Sequence, residues 1–319
     1  MLVTRREALK GAAAVGAAAL LSRTRDAGAV PLPSTKVTFD VPKGLTDIHR
    51  HVVGDERRYK FIPTSRYRLE PALIEDMEAL DKALGIDRVV LVALMAYGSD
   101  NSCLLDGLKK LGKRGRGMPI IDDKTTDRDM EMLHKAGCRG IRLPIGPGVE
   151  DARNRLKWAG QRLKPYGWHI NMFGLLSRLD ALQHDIAASP VRVVFDHFLD
   201  IRAKPGLEQP GVSTLLKLMK EGYAYVKLSA TYRVSHEGPH YPDAAPIAQA
   251  LISANPQRVL WGTDWPHAPG SIEGYSSNEV WPYLSIDDAA VLNQVPIWAP
   301  DPAVRKLLLV ENAARICGF

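Results

Sequence analysis

The chain has 319 residues, 45% of them hydrophobic and 24% charged, with a mean hydropathy of −0.15. Those values exclude a disordered, fibrous or polytopic membrane chain, and the length allows two small domains or one large α/β barrel. The formal net charge is +6, but Arg5, Arg6, Lys10, Arg23 and Arg25 against Glu7 and Asp26 place half of it in the first 29 residues. The remainder carries no basic stripe of the kind nucleic-acid binding needs, and the cationic run 109–116 reads as a solvated helix end and loop.

The chain opens with Thr4-Arg5-Arg6-Glu7-Ala8-Leu9-Lys10, a mild apolar run over 11–21, and the small-residue triplet Ala27-Gly28-Ala29. Paired arginines before a run too short to span a bilayer predict a twin-arginine-type signal peptide over 1–29. A periplasmic or otherwise exported mature protein follows from that, with no membrane span. A Pro-containing linker occupies 30–43 and a single domain 44–319. Cys103, Cys138 and Cys317 are far apart, lack metal-ligand spacing and allow at most one bridge.

From residue 44 onward, short apolar runs alternate with stretches of helical period. Strands are predicted over 44–52, 88–94, 118–121, 138–143, 169–173, 192–198, 224–228 and 258–265. Helices are predicted near 71–84, 101–111, 127–136, 151–164, 179–188, 211–221, 243–255 and 302–314. A crossover between parallel strands needs a dozen or more residues, usually a helix, so the alternation predicts an α/β fold with parallel strands. Eight such units match a (β/α)8 TIM barrel. The competing doubly wound sheet would want a Gly-rich turn after its first strand, and none follows Val52.

Such a barrel carries its chemistry at the C-terminal strand ends. Those ends hold His49 and His51, Met95 and Ala96, Asp122, Arg142, Phe173, Asp196 and His197, Ser229 with Arg233 beyond it, and Asp264. In Asp47-Ile48-His49-Arg50-His51 the period of two puts both histidines on one strand face. Each piece alone is weak: a His-x-His pair arises by chance, His197 could be a core histidine, and Asp264 could cap a helix.

Taken with Gly98-Ser99-Asp100-Asn101, Gly137-Cys138-Arg139-Gly140-Ile141-Arg142, Gly167-Trp168-His169 and Trp261-Gly262-Thr263-Asp264-Trp265-Pro266-His267, the pieces resemble the amidohydrolase superfamily over about residues 40–317. The resembling branch is that of 2-pyrone-4,6-dicarboxylate lactonase and related lactone hydrolases and isomerases. The resemblance implies that Asp264 is the base activating water, that His49, His51 and His197 polarise the substrate carbonyl, and that Arg142 and Arg233 hold a carboxylate. Tyr67 falls where the family has a tyrosine after strand 1. Lactone hydrolysis needs an ionised base, preorganised donors at the developing oxyanion and, for an anionic substrate, an arginine fork.

The chain also departs from the branch. The loop after strand 4 reads Pro144-Ile145-Gly146-Pro147-Gly148 in place of a further arginine, Phe173 replaces a tyrosine, and Met95 replaces a hydroxyl residue. These departures imply a substrate with fewer anionic groups than the pyrone dicarboxylate, or a larger aromatic-derived ester. Metal-binding superfamily members add a strand-5 histidine and often a strand-4 lysine or glutamate, where this chain has Phe173 and Arg142. An arginine repels a divalent ion, so no cofactor is expected to be required, although His49, His51 and Asp264 could hold zinc or another divalent metal. Tyr232 and Trp265 are expected to shape the pocket wall, and the stretch 271–302 to cap the barrel mouth. The expected activity is hydrolysis of a small carboxylated lactone or ester in aromatic-compound catabolism, with an oligomer possible. The alternatives are a lactone isomerase, a metal-dependent decarboxylase, or a non-catalytic barrel that binds an anion.

Overall fold

The computed structural model describes residues 30–269, 276 and 279–319. The expected signal peptide over 1–29 and part of the expected mouth cap lie outside the described residues. The strands are β1 (Thr46–Arg50), β2 (Arg68–Leu69), β3 (Arg88–Val92), β4 (Gly115–Met118), β5 (Gly140–Arg142), β6 (His169–Met172), β7 (Val193–Phe195), β8 (Ala224–Leu228), β9 (Val259–Trp261) and β10 (Val280–Trp281). Helices follow most of them: α1 (Ile74–Leu84), α2 (Ser102–Leu111), α3 (Asp127–Lys135), α4 (Val149–Leu163), α5 (Leu179–Ala187), α6 (Val212–Lys220), α7 (Thr231–Val234) and α8 (Ala245–Ala254). The C-terminal part adds α9 (Asp288–Leu292), α10 (Val295–Trp298), α11 (Pro302–Lys306) and α12 (Asn312–Cys317), the last two joined by a π-helical turn.

Parallel ladders run β1-β3-β4 and β5-β6-β7-β8-β9. Two seams join them into a ring. At one, Gly117 bridges Cys138 in parallel and the Arg139 N–H donates to the Gly117 carbonyl at 3.1 Å. At the other, Arg50 bridges Trp265, the His51 N–H donates to the Trp265 carbonyl at 2.9 Å, and the Asp264 N–H donates to the His49 carbonyl at 2.9 Å. Each seam passes a glycine that admits no side chain. A Cβ on Gly117 would lie 2.7 Å from Leu108 and 3.0 Å from Cys138 Sγ, and one on Gly262 would lie 2.9 Å from Asp47 Oδ1 and from the His49 nitrogen. The ring is the expected eight-stranded barrel.

Strands covered on both faces read as continuous apolar runs, as in Val89-Val90-Leu91-Val92. The barrel interior holds Ile48, Val90, Val92, Met118, Val194, Tyr225 and Leu260, and Ala313, Ile316 and Cys317 of α12 pack against them. That plug closes one end, so access is from the opposite, C-terminal rim. The outer core fills the space between strands and helices. All three cysteines are free and buried. Among the described residues no helix is long and apolar enough to cross a membrane.

One strand differs from expectation. The third ring strand starts at Gly115, ahead of the apolar run at 118–121. Its glycines look like loop residues in the sequence, yet they are required, because a Cβ on Gly115 would sit 2.7 Å from Leu111 of α2. Asp122 therefore lies past the strand end in a surface depression beside Asn101 and Thr125, away from the barrel mouth.

Candidate active site

The β1–β3 register slips between Asp47 and Arg50. This bulge lets Ile48 enter the interior core while His49 and His51 both reach the rim, a use of bulges common beside active sites. Arg50, fully buried, turns to the outer face, where its Nε donates to Asp47 Oδ2 at 2.6 Å and its Nη1 meets Asp81 of α1. Asp47 in turn accepts from the Thr263 N–H at 3.0 Å, the Thr263 hydroxyl at 2.6 Å and the His49 N–H at 3.1 Å. The first strand thereby grips the turn that presents Asp264.

Three imidazoles converge on that residue. Nε2 of His49 and of His51 each lie 3.5 Å from Asp264 Oδ1, and Nε2 of His197 lies 3.7 Å from the same oxygen. The other oxygen, Oδ2, accepts the Tyr232 hydroxyl at 2.6 Å and lies 3.7 Å from Arg233 Nε. Behind His49, the fully buried Asp196 carboxylate sits 3.3 Å from its Nδ1 and 2.9 Å from the Lys227 ammonium.

The backbone that carries these groups is strained. His197, Phe198, Leu199 and Asp200 form one left-handed turn with φ of 54°, 53°, 52° and 60°. Left-handed helical geometry costs roughly 1–2 kcal/mol per non-glycine residue. Full burial of Phe198 and Leu199 holds the turn in place. Asp264 (φ 69°), Ala230 (φ 54°) and His267 (φ 67°) are left-handed too. Such outliers gathered around one cluster mark a functional site.

Burial acts to raise the Asp264 acid, but His197, the His51 hydrogen bond, His49 and Arg233 outweigh it and hold the carboxyl well below its usual range. Burial drives His49 well below its usual value, against the pull of Asp196, and takes His197 down to about 4. His169, inside the barrel, is lowered to about 3 by burial, then by Lys227 and Arg192. At neutral pH the site is thus an anionic base beside neutral His49 and His197. Burial pushes the Tyr232 phenol well up, so it remains a donor.

These shifts set a pH dependence of stability. The unfolded chain protonates its histidines near 6.5, while folded His197 and His169 resist to about 4 and 3. The unfolded state therefore binds more protons as pH falls from 6.5 toward 3, and stability drops through that window. A decline of several kcal/mol in unfolding free energy between pH 7 and pH 4 is expected from urea titrations. A flat profile would refute buried neutral imidazoles.

The cluster opens into a cavity of about 430 Å³. Its wall includes His51, His197 and Asp264 together with Arg142, Arg233, Tyr67, Met95, Ala96 and Phe173. Arg142 donates to the Ala93 carbonyl at 3.0 Å, and Arg233 Nη2 to the Ala268 carbonyl at 3.3 Å. All seven expected site residues therefore reach one centre, though His49 is completely buried behind the wall. Trp265, expected in the wall, is instead packed into the core. Tyr232 meets Asp264 directly. His267 is buried and its Nε2 pairs with Asp288 at 3.0 Å.

Four contributors were missed in the sequence. Arg66 lines the outer rim with Thr64 and Ser65; its place beside Tyr67 was the available signal. Lys227 stands at alternate spacing with interior Tyr225 in an otherwise apolar strand, a pattern that marks an inward polar residue. Asp47 and Arg50 flank His49 in the sequence, but nothing local reveals their partners.

His49, His51 and Asp264 offer ligand atoms within 4.8 Å of one another and could hold a metal ion. The donor set fits one. Nε2 of His49 is buried without a hydrogen-bond partner, and His51 Nδ1 is engaged by the Val92 carbonyl, which leaves its Nε2 directed at the Asp264 carboxylate. Bound there, an ion would supply Lewis-acid polarisation and a more acidic water.

A closed β/α barrel presenting a buried aspartate, histidines and arginines to one cavity at its strand ends is the architecture of a barrel hydrolase. The chain belongs to the amidohydrolase family, whose profile, Amidohydrolase, matches residues 46–319. It is 32% identical over 289 residues to a 4-sulfomuconolactone hydrolase of Rhizobium radiobacter, covering 89% of this chain and 93% of that protein. It is 32% identical over 285 residues to a D-galactarolactone isomerase of Agrobacterium fabrum (strain C58 / ATCC 33970), covering 85% and 90%. A solved Pseudomonas putida protein named for 2-pyrone-4,6-dicarboxylic acid hydrolysis superposes with a TM-score of 0.71 at 26% identity, covering 87% of this chain and 98% of that one.

Proposed function

We propose that the protein hydrolyses the ester bond of a lactone bearing a carboxylate or similar anionic group. The observation that carries this reading is the meeting of three imidazole Nε2 atoms on one oxygen of an ionised, buried Asp264, beside a cavity wall that also bears Arg142 and Arg233. Water beside Asp264 gives up a proton to the carboxylate as its oxygen attacks the lactone carbonyl carbon. The histidine cluster faces the oxyanion that develops. Collapse breaks the ring C–O bond, and the proton passes from Asp264 to the departing alkoxide, leaving a hydroxy acid. Arg142 and Arg233 receive the substrate anion, since guanidinium matches carboxylate in a bidentate fork. Phe173 and the arginine-free loop 144–148 favour fewer anionic groups than a pyrone dicarboxylate carries.

The test is mass spectrometry of products across carboxylated and neutral lactones, run with and without exhaustive chelation. We expect carboxylated lactones to gain the mass of one water and neutral ones to react far more slowly. Two cationic arginines at the cavity oppose a divalent ion, so hydrolysis is expected to survive chelation. Activity lost on chelation and restored by zinc would overturn that part of the reading. Products of unchanged mass would favour isomerisation, the second reading, which the likeness to a D-galactarolactone isomerase supports. No turnover of any lactone would leave an anion-binding barrel.

The twin-arginine pattern of residues 1–29 further supports export of the mature protein. Cell fractionation should find the protein outside the cytoplasm, and replacing both Arg5 and Arg6 by lysine should retain it inside. Cytoplasmic location of the unaltered chain would refute export.

A further inference from the structure

The end of β3 leads from the histidine cluster directly into an apolar wall. The Val92 carbonyl lies 2.8 Å from His51 Nδ1, and the next carbonyl, that of Ala93, accepts from Arg142 at 3.0 Å. Leu94, Met95 and Ala96 then line the cavity. Three residues of chain span at most about 10 Å, so this wall stands within one small molecule's length of the imidazoles. Ile62, from the loop after β1, joins it. Its N–H donates to the Ala96 carbonyl at 2.8 Å, and a Cβ on Gly98 would lie 3.1 Å from its Cγ2. Behind these two crossing segments the buried Tyr97 ring packs on Phe61 at 5.1 Å, and its hydroxyl accepts the Gly54 N–H at 3.1 Å. The wall is thus built into the fold. Met95 is nevertheless 38% exposed, where Leu94 and Ala96 beside it are 3% and 2%. Phe173 adds a ring that meets His197 edge-on at 5.3 Å, the Nδ1 of His197 lying 2.9 Å from the Ser229 hydroxyl. Ile62, Leu94, Ala96 and Phe173 offer no side-chain hydrogen bond, and Met95 only a weakly accepting sulfur. A hydroxyl or second carboxylate laid on this wall would lose its water without replacement.

We propose that this wall is an apolar subsite for a substituent on the lactone ring. The substrate is an amphiphilic lactone that presents its carboxylate to Arg142 and Arg233 and an alkyl or aryl group to Ile62, Leu94, Met95 and Ala96. The subsite rests on the hydrolase reading for the bond that breaks and adds what the rest of the substrate must be. Covering the exposed Met95 removes apolar surface from water on both sides of the contact, which is worth about 4-fold in affinity per buried methylene.

The experiment compares carboxylated lactones bearing hydrogen, methyl, ethyl or propyl at each ring carbon in turn, read as kcat/KM relative to the unsubstituted member. At the best position we expect a rise of about 4-fold per carbon, carried mainly by KM. In Met95→Thr and Ile62→Thr the ratio of propyl to unsubstituted lactone should fall by about 10-fold or more. That ratio is taken within one protein, so it does not depend on how much of a variant folds. A series that is flat or declining at every position, or that keeps its slope in both variants, would overturn the subsite while leaving lactone hydrolysis intact. If no lactone is turned over, the hydrolase reading fails and calorimetry with acetate, butyrate and hexanoate judges the subsite. Affinity that rises with chain length, and does so less steeply in Met95→Thr, upholds it; a flat series overturns it.

Discussion

Replacing Asp264 by asparagine is expected to lower kcat about 1000-fold or more while KM moves by no more than a few-fold. Asparagine keeps the size of the side chain, can still accept the Tyr232 hydroxyl at the position of Oδ2, and tolerates the left-handed backbone found there. It cannot take a proton from water. The lost charge also frees Arg233, 3.7 Å away, to face the cavity, so the attraction for an anionic substrate persists. Steady-state kinetics on the best lactone of the panel separate the possibilities. A variant that retained most of its kcat would remove Asp264 as the base, and a large rise in KM at constant kcat would make it a binding group.

Arg50→Met should destabilise the protein by about 3–5 kcal/mol, the range found when one member of a buried ion pair is removed. Arg50 is fully buried between Asp47 and Asp81, and among the described residues Asp81 keeps only Arg114 as a cationic partner once it is gone. Burial already pushes the Asp47 acid up, and the Arg50 charge is the chief influence opposing that rise, so in the variant Asp47 takes up a proton more readily. A protonated Asp47 is a poorer acceptor for the three donors it now satisfies, two of which lie on Thr263 beside Asp264. The loss should therefore appear both in the urea midpoint and as a weakened site. A change below about 1 kcal/mol would mean that this network is not what anchors the seam between β9 and β1.

Much of the fold could be read without coordinates because barrel strands are covered on both faces and appear as bare apolar runs separated by helical spacing. The third strand shows where that reading stops: Gly115 and Gly117 look like a loop until Leu108 and Leu111 of α2 are seen pressing on them. A strand read as starting at Met118 puts Asp122 at the rim, and the true start at Gly115 takes it off. The motif residues His49, His51, His197 and Asp264 stand out as polar groups ending apolar strands, and closure of the ring brings them together across more than two hundred residues of chain. Lys227 carries a usable signal in its inward register. The partners of Arg50 carry none: strand alternation sets it on the face opposite His49 and His51, but that Asp47 and Asp81 of α1 meet it there depends on contacts made only in the folded chain.

Periodicity and alternation, which are local properties, sufficed to determine the α/β barrel, the rim on which chemistry would gather and the residue types available there. The tertiary structure decided what those residues are: which imidazole faces a carbonyl and which a hydroxyl, which histidine is walled off from the cavity, and which oxygen of Asp264 stays free for the histidines. Proton position and charge state follow from the atoms a side chain is buried against. Those atoms come from strands distant in the chain, so no reading of neighbours in sequence contains them.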